Sequence, residues 1–269
     1  MAMNQPLSFV HSAAKIANNV VIEPFVTIHK NVEIGEGTWI GSNVTIMEGS
    51  RIGNNCKIFP GAVIGAVPQD LKFKGEETTA EIGNNTTIRE FVTINRGTSA
   101  KGKTIVGSNC LLMAYVHIAH DCIVGDNVIL VNGVNLGGEV IIDDYAIISA
   151  NSLIHQFCRI GAHTMLAGNS LVGKDVPPYV KAARYPLSYA GVNSIGLRRR
   201  NFCNNKINAI QDIYRVIFSR GMNVSQSVAY IEAEMPASKE RDEILLFIRN
   251  SKRGIIKGYF DKSEADVNF

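Results

Sequence analysis

The sequence predicts a solenoid of short stacked β-strands followed by an α-helical C-terminal part, and three observations carry that prediction. An aliphatic residue returns at every sixth position. A small or β-branched residue returns at a fixed offset from it. The rhythm stops at a proline pair, beyond which the apolar spacing becomes helical.

The aliphatic series runs Ile16, Ile22, Ile28, Ile34, Ile40, Ile46, Ile52, Ile58 and Ile64 without a miss. It resumes at Ile82, Ile88 and Ile94, then continues from Val106 through Leu112, Ile118, Val124, Leu130, Leu136, Ile142, Ile148, Ile154, Ile160 and Leu166 to Val172. Of the 27 slots from 16 to 172, 24 hold Ile, Leu or Val, and the exceptions are Asp70, Glu76 and Ala100. A helix repeats at 3.6 and a strand at 2, so six belongs to neither alone. The fifth hexad position is small or β-branched, as at Val44, Cys56, Ala62, Cys110, Cys122, Val140 and Cys158. Each hexad thus supplies one large and one small inward residue and then a turn, and three hexads make one triangular coil of eighteen residues. One coil cannot cover its own edges, so stacking is obligatory. Four of the five cysteines fall in the inward slot and read as packing residues.

Two segments break the rhythm. Residues 66–81 include Gln69, Asp70 and Lys72, and residues 98–104 are rich in Lys and Gly; both read as loops leaving the prism, with distorted coils as the alternative. Loops on a rigid scaffold are favoured places for binding residues. The β-helix ends at Pro177-Pro178, giving domains of 1–178 and 179–269. The second begins as a linker to about Asn201. Ile207, Ile210, Ile213, Tyr214, Ile217 and Phe218 then share one helical face, Gly221 is a stop, and further helices are expected over 224–235 and 240–250. Residues 261–269 read as a frayed tail.

Composition excludes several classes. A net charge of +3 argues against wrapping nucleic acid, and no apolar run reaches membrane-spanning length. Five cysteines without a CxxC pair suit reduced thiols, and residues 1–10 lack a secretory layout, so a cytoplasmic location is expected. From Pro177 onward there are 15 Lys/Arg against 9 Asp/Glu, which points to an acidic partner for this end.

The eighteen-residue coil also predicts geometry. Residues eighteen apart stack one strand spacing apart, roughly 4.8 Å. His120 therefore lies one rung below Gly138, which lies below Gln156; His117 lies below Asn135, and Ala119 below Gly137 and His155. An imidazole acts as general base near neutral pH, and a glycine N–H one rung away can meet a developing oxyanion. Those two groups are the minimum for acyl transfer to a hydroxyl. A lone histidine on such a wall is more often a solvated polar residue, the reading given to His11, His29 and His163. A zinc site from His117, His120 and His155 is a further alternative, disfavoured because 117 and 120 occupy different hexad positions.

At this point the residues resemble a known family. His117-Ile118-Ala119-His120-Asp121-Cys122, Ile154-His155-Gln156-Phe157-Cys158, Asp175-Val176-Pro177-Pro178-Tyr179 and Gly196-Leu197-Arg198-Arg199-Arg200 together resemble the acyl-ACP–UDP-N-acetylglucosamine O-acyltransferases of lipid A biosynthesis. The resemblance implies a left-handed parallel β-helix with a C-terminal α-helical domain, and a homotrimer with sites between subunits. It implies transfer of a long 3-hydroxyacyl chain from acyl carrier protein to the 3-hydroxyl of UDP-N-acetylglucosamine, with no metal and no cofactor beyond the donor's phosphopantetheine. His120 would be the general base, supported by Asp121, and Gly138 N–H would hold the oxyanion. Asp121 needs turn geometry to reach the ring, because adjacent strand residues face opposite sides. Gln69, Asp70 and Lys72 match the nucleotide-sugar loop; His117, His155 and Gln156 would contact the sugar or nucleotide; Arg199 and Arg200 match arginines near the diphosphate and donor. Arg159, Lys174, Arg198, Arg215 and Arg220 would add a basic surface for the carrier protein. Gly168 falls where the family measures chain length, and glycine leaves the groove open.

The chain departs from the family at Glu139, where many members carry a histidine near the sugar, and at Ile195, which replaces an acidic residue associated with the uridine. The first leaves a 3-amino sugar open as acceptor. The competing readings are a sugar N-acetyltransferase using acetyl-CoA and a non-catalytic structural β-helix trimer.

Overall fold

A computed structural model describes residues 7–258; the expected tail at 261–269 and the first six residues lie outside that range. The hexads form a parallel β-helix with three walls, each strand being two to four residues long. The first wall has nine strands, from Phe9–Val10 to Leu171–Val172, and the second eight, from Lys15–Ile16 to Arg159–Ile160. The third has eleven and starts at Val21–Ile22. The aliphatic series points inward: Ile28, Ile46, Ile64, Ile94, Ile118 and Leu136 are buried in one continuous core. Each contributes about 1.5–3 kcal/mol by leaving water. Cys56, Cys110, Cys122 and Cys158 are buried free thiols, and Cys203 is exposed.

Both breaks in the rhythm are loops that leave the prism, the first shorter than the sequence suggested and the second of the same length but two residues earlier. Residues 79–82 and 103–106 are strands that pair with each other on the second wall, so the loops span 67–78 and 96–102. Across the first loop partners are 30 residues apart (Val63 with Thr93), and across the second 24 (Thr93 with His117), instead of 18. The excursions therefore remove two hexads and one, together a whole coil.

The segment read as a linker is structured. Val180–Ala183 and Ser188–Val192 form an antiparallel pair that extends the third wall, and Lys257–Gly258 joins its edge. Past Pro177-Pro178 the chain keeps strand geometry, Val180–Ala183 pairing in parallel with Met165–Leu166 before the antiparallel return. Among the described residues four helices follow: α1 (Ser194–Arg199), α2 (Asn204–Ser219), α3 (Val224–Glu234) and α4 (Lys239–Arg249). Side chains of Asn193, Asn223 and Ser238 cap α1, α3 and α4. The apolar face of α2 buries Ile207, Ile210, Ile213, Tyr214 and Ile217, and the Tyr214 hydroxyl donates to Pro178 O at 2.5 Å. Buried Asp175 ties the top of the prism to the C-terminus, accepting from Arg159 N–H at 2.8 Å and Ser251 Oγ at 2.6 Å.

The corner between the second and third walls carries an aromatic stack. His163 lies between Tyr145 and Tyr179, with ring centroids 4.9 and 5.6 Å away, and Phe202 meets its edge. Burial pushes the His163 imidazole down to about 4, and the charges of Arg200 and Lys239 add to the effect. The folded protein thus stays unprotonated at His163 where the unfolded chain, with an ordinary value near ~6.5, takes up a proton. Stability must fall as pH drops from about 6.5 towards 4. A His163→Phe variant keeps a ring in the stack and is expected to flatten that slope. The difference at pH 5 should be about 1 kcal/mol once solvent screening is allowed for. Urea denaturation at pH 7 and pH 5 measures it; an equal slope in both proteins would remove His163 as the cause.

Candidate active site

The corner between the first and second walls concentrates the expected chemistry. The chain leaves the strand His117–Ile118 and turns at Asp121, whose φ of +61° swings its carboxylate under the preceding ring. Asp121 is fully buried, and its Oδ2 lies 2.8 Å from His120 Nδ1. Thr98 N–H and Lys101 N–H donate to its Oδ1 at 3.0 and 3.2 Å, and Thr98 Oγ1 donates to Oδ2 at 2.7 Å. Burial alone would raise this carboxyl, but the hydrogen bonds from Thr98 and His120 outweigh it and hold it below the ordinary carboxylate range. An ionised carboxylate only accepts, so Nδ1 of His120 carries a proton, and in the ring's neutral form the Nε2 lone pair faces outward.

One rung above stands Gly138. A Cβ built on it would lie 2.7 Å from both Cε1 and Nε2 of His120, so the backbone approaches the imidazole as only glycine permits. Its N–H donates to no acceptor among the described residues. The next N–H, of Glu139, donates to His120 O at 3.0 Å and fixes the register of the two rungs.

The two loops close over this corner. The longer one brings Asp70 Oδ2 to 4.0 Å from His120 Nε2, with Gln69 and Lys72 exposed beside it. Asp70 is pinned by its own turn, accepting from Lys72 N–H at 2.9 Å. The shorter loop supplies Thr98 and Lys101. His117 stands on the first wall with Nδ1 2.7 Å from Thr93 Oγ1, and burial lowers its imidazole below the ordinary value. His155 and Gln156 are exposed two rungs above Ala119 and one above Gly138 respectively. Among the described residues, no group of three or more His, Cys, Asp or Glu is arranged to hold a metal ion.

Arg199, Arg200 and Gly168 lie elsewhere on the prism. Arg200 packs on the second-to-third-wall corner, its Nη2 donating to Tyr145 O at 3.0 Å and its guanidinium 5.2 Å from the Tyr145 ring. Its Nη1 is buried with no partner among the described residues. Gly168 occupies the third-to-first-wall corner, where an added Cβ would meet only Ala150 O, at 3.4 Å. One copy of the chain thus sets His120, Arg200 and Gly168 on three different corners. A cavity of roughly 600 Å³ between the second wall and α4, lined by Asp143, Arg159, Glu243 and Phe247, touches none of these groups, so cavity size does not locate the chemistry.

Comparison with known proteins decides the family. Residues 175–256 match a family described as UDP-N-acetylglucosamine O-acyltransferase, domain 2, and residues 31–66 and 103–138 match the bacterial transferase hexapeptide repeat. An acyl-[acyl-carrier-protein]–UDP-N-acetylglucosamine O-acyltransferase of Janthinobacterium sp. (strain Marseille) is 42% identical over 262 residues, covering 96% of this chain and 100% of the relative. This chain belongs to that acyltransferase family. The crystal structure of a UDP-N-acetylglucosamine acyltransferase from Bacteroides fragilis aligns with TM-score 0.93 at 57% identity, over 95% of this chain and 100% of the other. That from Francisella novicida aligns with TM-score 0.93 at 41% identity, over 98% and 99%. The fold is accordingly the left-handed parallel β-helix with a C-terminal helical domain.

Within this acyltransferase, sequence reasoning passed over two sets of residues. Thr98 and Lys101 hold Asp121 from a loop 23 and 20 positions away in sequence, and no local pattern marks such a contact. The outward residues of the third wall at Leu111, Ile129, Ile147 and Met165 stack in consecutive pairs and form an apolar column that ends three residues before Gly168. Their signal was present: an outward hexad position that stays apolar at eighteen-residue spacing is unusual for a wall facing water.

Proposed function

We propose that this chain transfers a long 3-hydroxyacyl group from acyl carrier protein to the 3-hydroxyl of UDP-N-acetylglucosamine in lipid A biosynthesis. The observation that carries the mechanism is His120: Nδ1 bound to a buried carboxylate, Nε2 presented outward, and one rung above it a glycine N–H without an acceptor. Nε2 takes the proton of the sugar hydroxyl as its oxygen attacks the thioester carbonyl. The negative charge on the carbonyl oxygen of the tetrahedral intermediate is met by Gly138 N–H. When the C–S bond breaks, His120 returns its proton to the phosphopantetheine thiolate, which leaves on the carrier protein. Asp121 stabilises the imidazolium between the two transfers. The donor brings the phosphopantetheine, and the chain itself supplies no other prosthetic group.

Gln69, Asp70, Lys72, His117, His155 and Gln156 bind the nucleotide sugar beside the base in this reading. Arg199 and Arg200 complete the site from a neighbouring copy, which is why a homotrimer is required. The unpartnered Nη1 of Arg200 suits a phosphate or uridine oxygen. The β-helix of 1–178 carries the chemistry. The part from 179 to 269 carries the arginines and, through Arg159, Lys174, Arg198, Arg215 and Arg220, the surface for an acidic carrier protein in the cytoplasm.

The apolar column of Leu111, Ile129, Ile147 and Met165 gives the acyl chain a path of about 4.8 Å per rung towards Gly168. Gly168→Met finds room at its Cβ but fills that path with a side chain. Long donors are expected to lose roughly ten- to a hundredfold in kcat/KM against short ones, measured with acyl carrier proteins of several chain lengths; an unchanged preference would take the length role from Gly168. Mass spectrometry of the product from UDP-N-acetylglucosamine and a mixture of acyl-carrier donors tests the whole reading. An O-linked long 3-hydroxyacyl product is expected; turnover of acetyl-CoA alone would overturn it.

A further inference from the structure

We propose that Glu139 and Lys101 form a positioning pair that clamps the shorter loop over the His120–Asp121 dyad; the proposal rests on the acyltransfer reading of that dyad. Among the described residues, the Asp121 carboxylate has no partner on its own coil except His120. Three of its four hydrogen bonds come from the loop: Thr98 N–H, Thr98 Oγ1 and Lys101 N–H. The fourth is His120 itself. The aim of the base therefore depends on where residues 98–101 sit, and the loop tip, Ser99 to Lys101, is exposed.

Lys101 fastens that tip. Its Nζ donates to Asp121 O at 3.3 Å and pairs with Glu139 Oε2 at 3.7 Å. Glu139 stands at φ +60°, next to Gly138 and directly above Asp121, and its N–H already holds His120 O. One residue thus grips His120 through its backbone and the loop through its side chain. Where the family resemblance places a sugar-facing histidine, this chain has a carboxylate engaged with Lys101. Both side chains are about 70% withdrawn from solvent, at 29% and 27% exposure, so salt screens the pair less than a surface one. Elsewhere the loop has Gly97 anchored to Thr79 O at 3.1 Å and Gly102 O accepting from Thr79 N–H at 3.0 Å, but these hold its two feet, not the tip.

The experiment compares Glu139→Gln, Lys101→Met and Lys101→Arg in the full-length protein. Steady-state kinetics with acyl carrier donor and UDP-N-acetylglucosamine are combined with hydrogen exchange at the Thr98 and Lys101 amides. Both neutralising variants should lose about tenfold in kcat, with KM for the nucleotide sugar within about twofold of the parent and faster exchange at both amides. Lys101→Arg should recover most of the rate. A raised KM in Glu139→Gln beside a silent Lys101→Met would make Glu139 a sugar contact and overturn the pair. Unchanged kcat in both would overturn it too. Absence of transfer by the unsubstituted protein would instead defeat the acyltransfer reading; the exchange rates would still judge the clamp, and equal rates in all proteins would reject it.

Discussion

Replacing His120 with alanine is expected to lower kcat/KM by about 10²–10⁴ while leaving the fold intact. The imidazole is the group beside Gly138 with a lone pair aimed outward, and no other imidazole among the described residues touches the buried Asp121 carboxylate. The stability side is equally clear. His120 sits on a corner, outside the continuous apolar core. Its removal leaves Asp121 with the Thr98 amide, the Thr98 hydroxyl and the Lys101 amide, so no buried charge is stranded. A melting temperature close to that of the parent should accompany the lost rate. Full activity in this variant would remove the general base, and unfolding would show that the ring has a structural task instead.

The second large effect is expected from one methyl group. In Gly138→Ala the new Cβ would lie 2.7 Å from both Cε1 and Nε2 of His120, closer than real Cβ contacts come. The backbone at 138 is outside the left-handed region, so alanine itself is not strained there. The conflict falls on the imidazole, which must rotate off the Asp121 carboxylate or push the rung apart. Either movement spoils the alignment of base and oxyanion donor, and a loss of about a hundredfold is expected. The two substitutions act on one unit and should not add: Gly138→Ala placed in the His120→Ala background should cost little further rate. Additive losses would mean that the glycine acts independently of the ring.

Most of the fold was legible because a β-helix writes its architecture as a period. Each inward Ile, Leu or Val marks a rung, and the rungs need no long-range inference beyond stacking. The exception is instructive. Between the two loops a strict count of eighteen puts Ile82 above Ile64 on the first wall, yet its strand pairs with Ile52 on the second. The first excursion shifts the wall assignment, and the second restores it before Val106. No loop interrupts the coils beyond Val106, so the stacking of His117 under Asn135 and of His120 under Gly138 could be read correctly from residue numbers. Handedness was not legible from the period, since crossovers normally favour the right-handed form; family likeness supplied it. Nor was the way Asp121 reaches His120, which depends on a φ of +61° at a non-glycine residue. The hold of Thr98 on Asp121 was hidden because it joins a loop tip to a corner through tertiary contact alone.

The two excursions have a consequence for how such a protein can change. Beneath each of them the ladder closes as though nothing had been inserted, Val63 meeting Thr93 and Thr93 meeting His117 in parallel register. On the proposed reading, in which the longer loop binds the nucleotide sugar, recognition of the acceptor can therefore be rewritten in the outgrowths while the column that supports them is left alone. Grafting a foreign segment between Ala66 and Thr79 should alter what is bound long before it alters whether the chain folds.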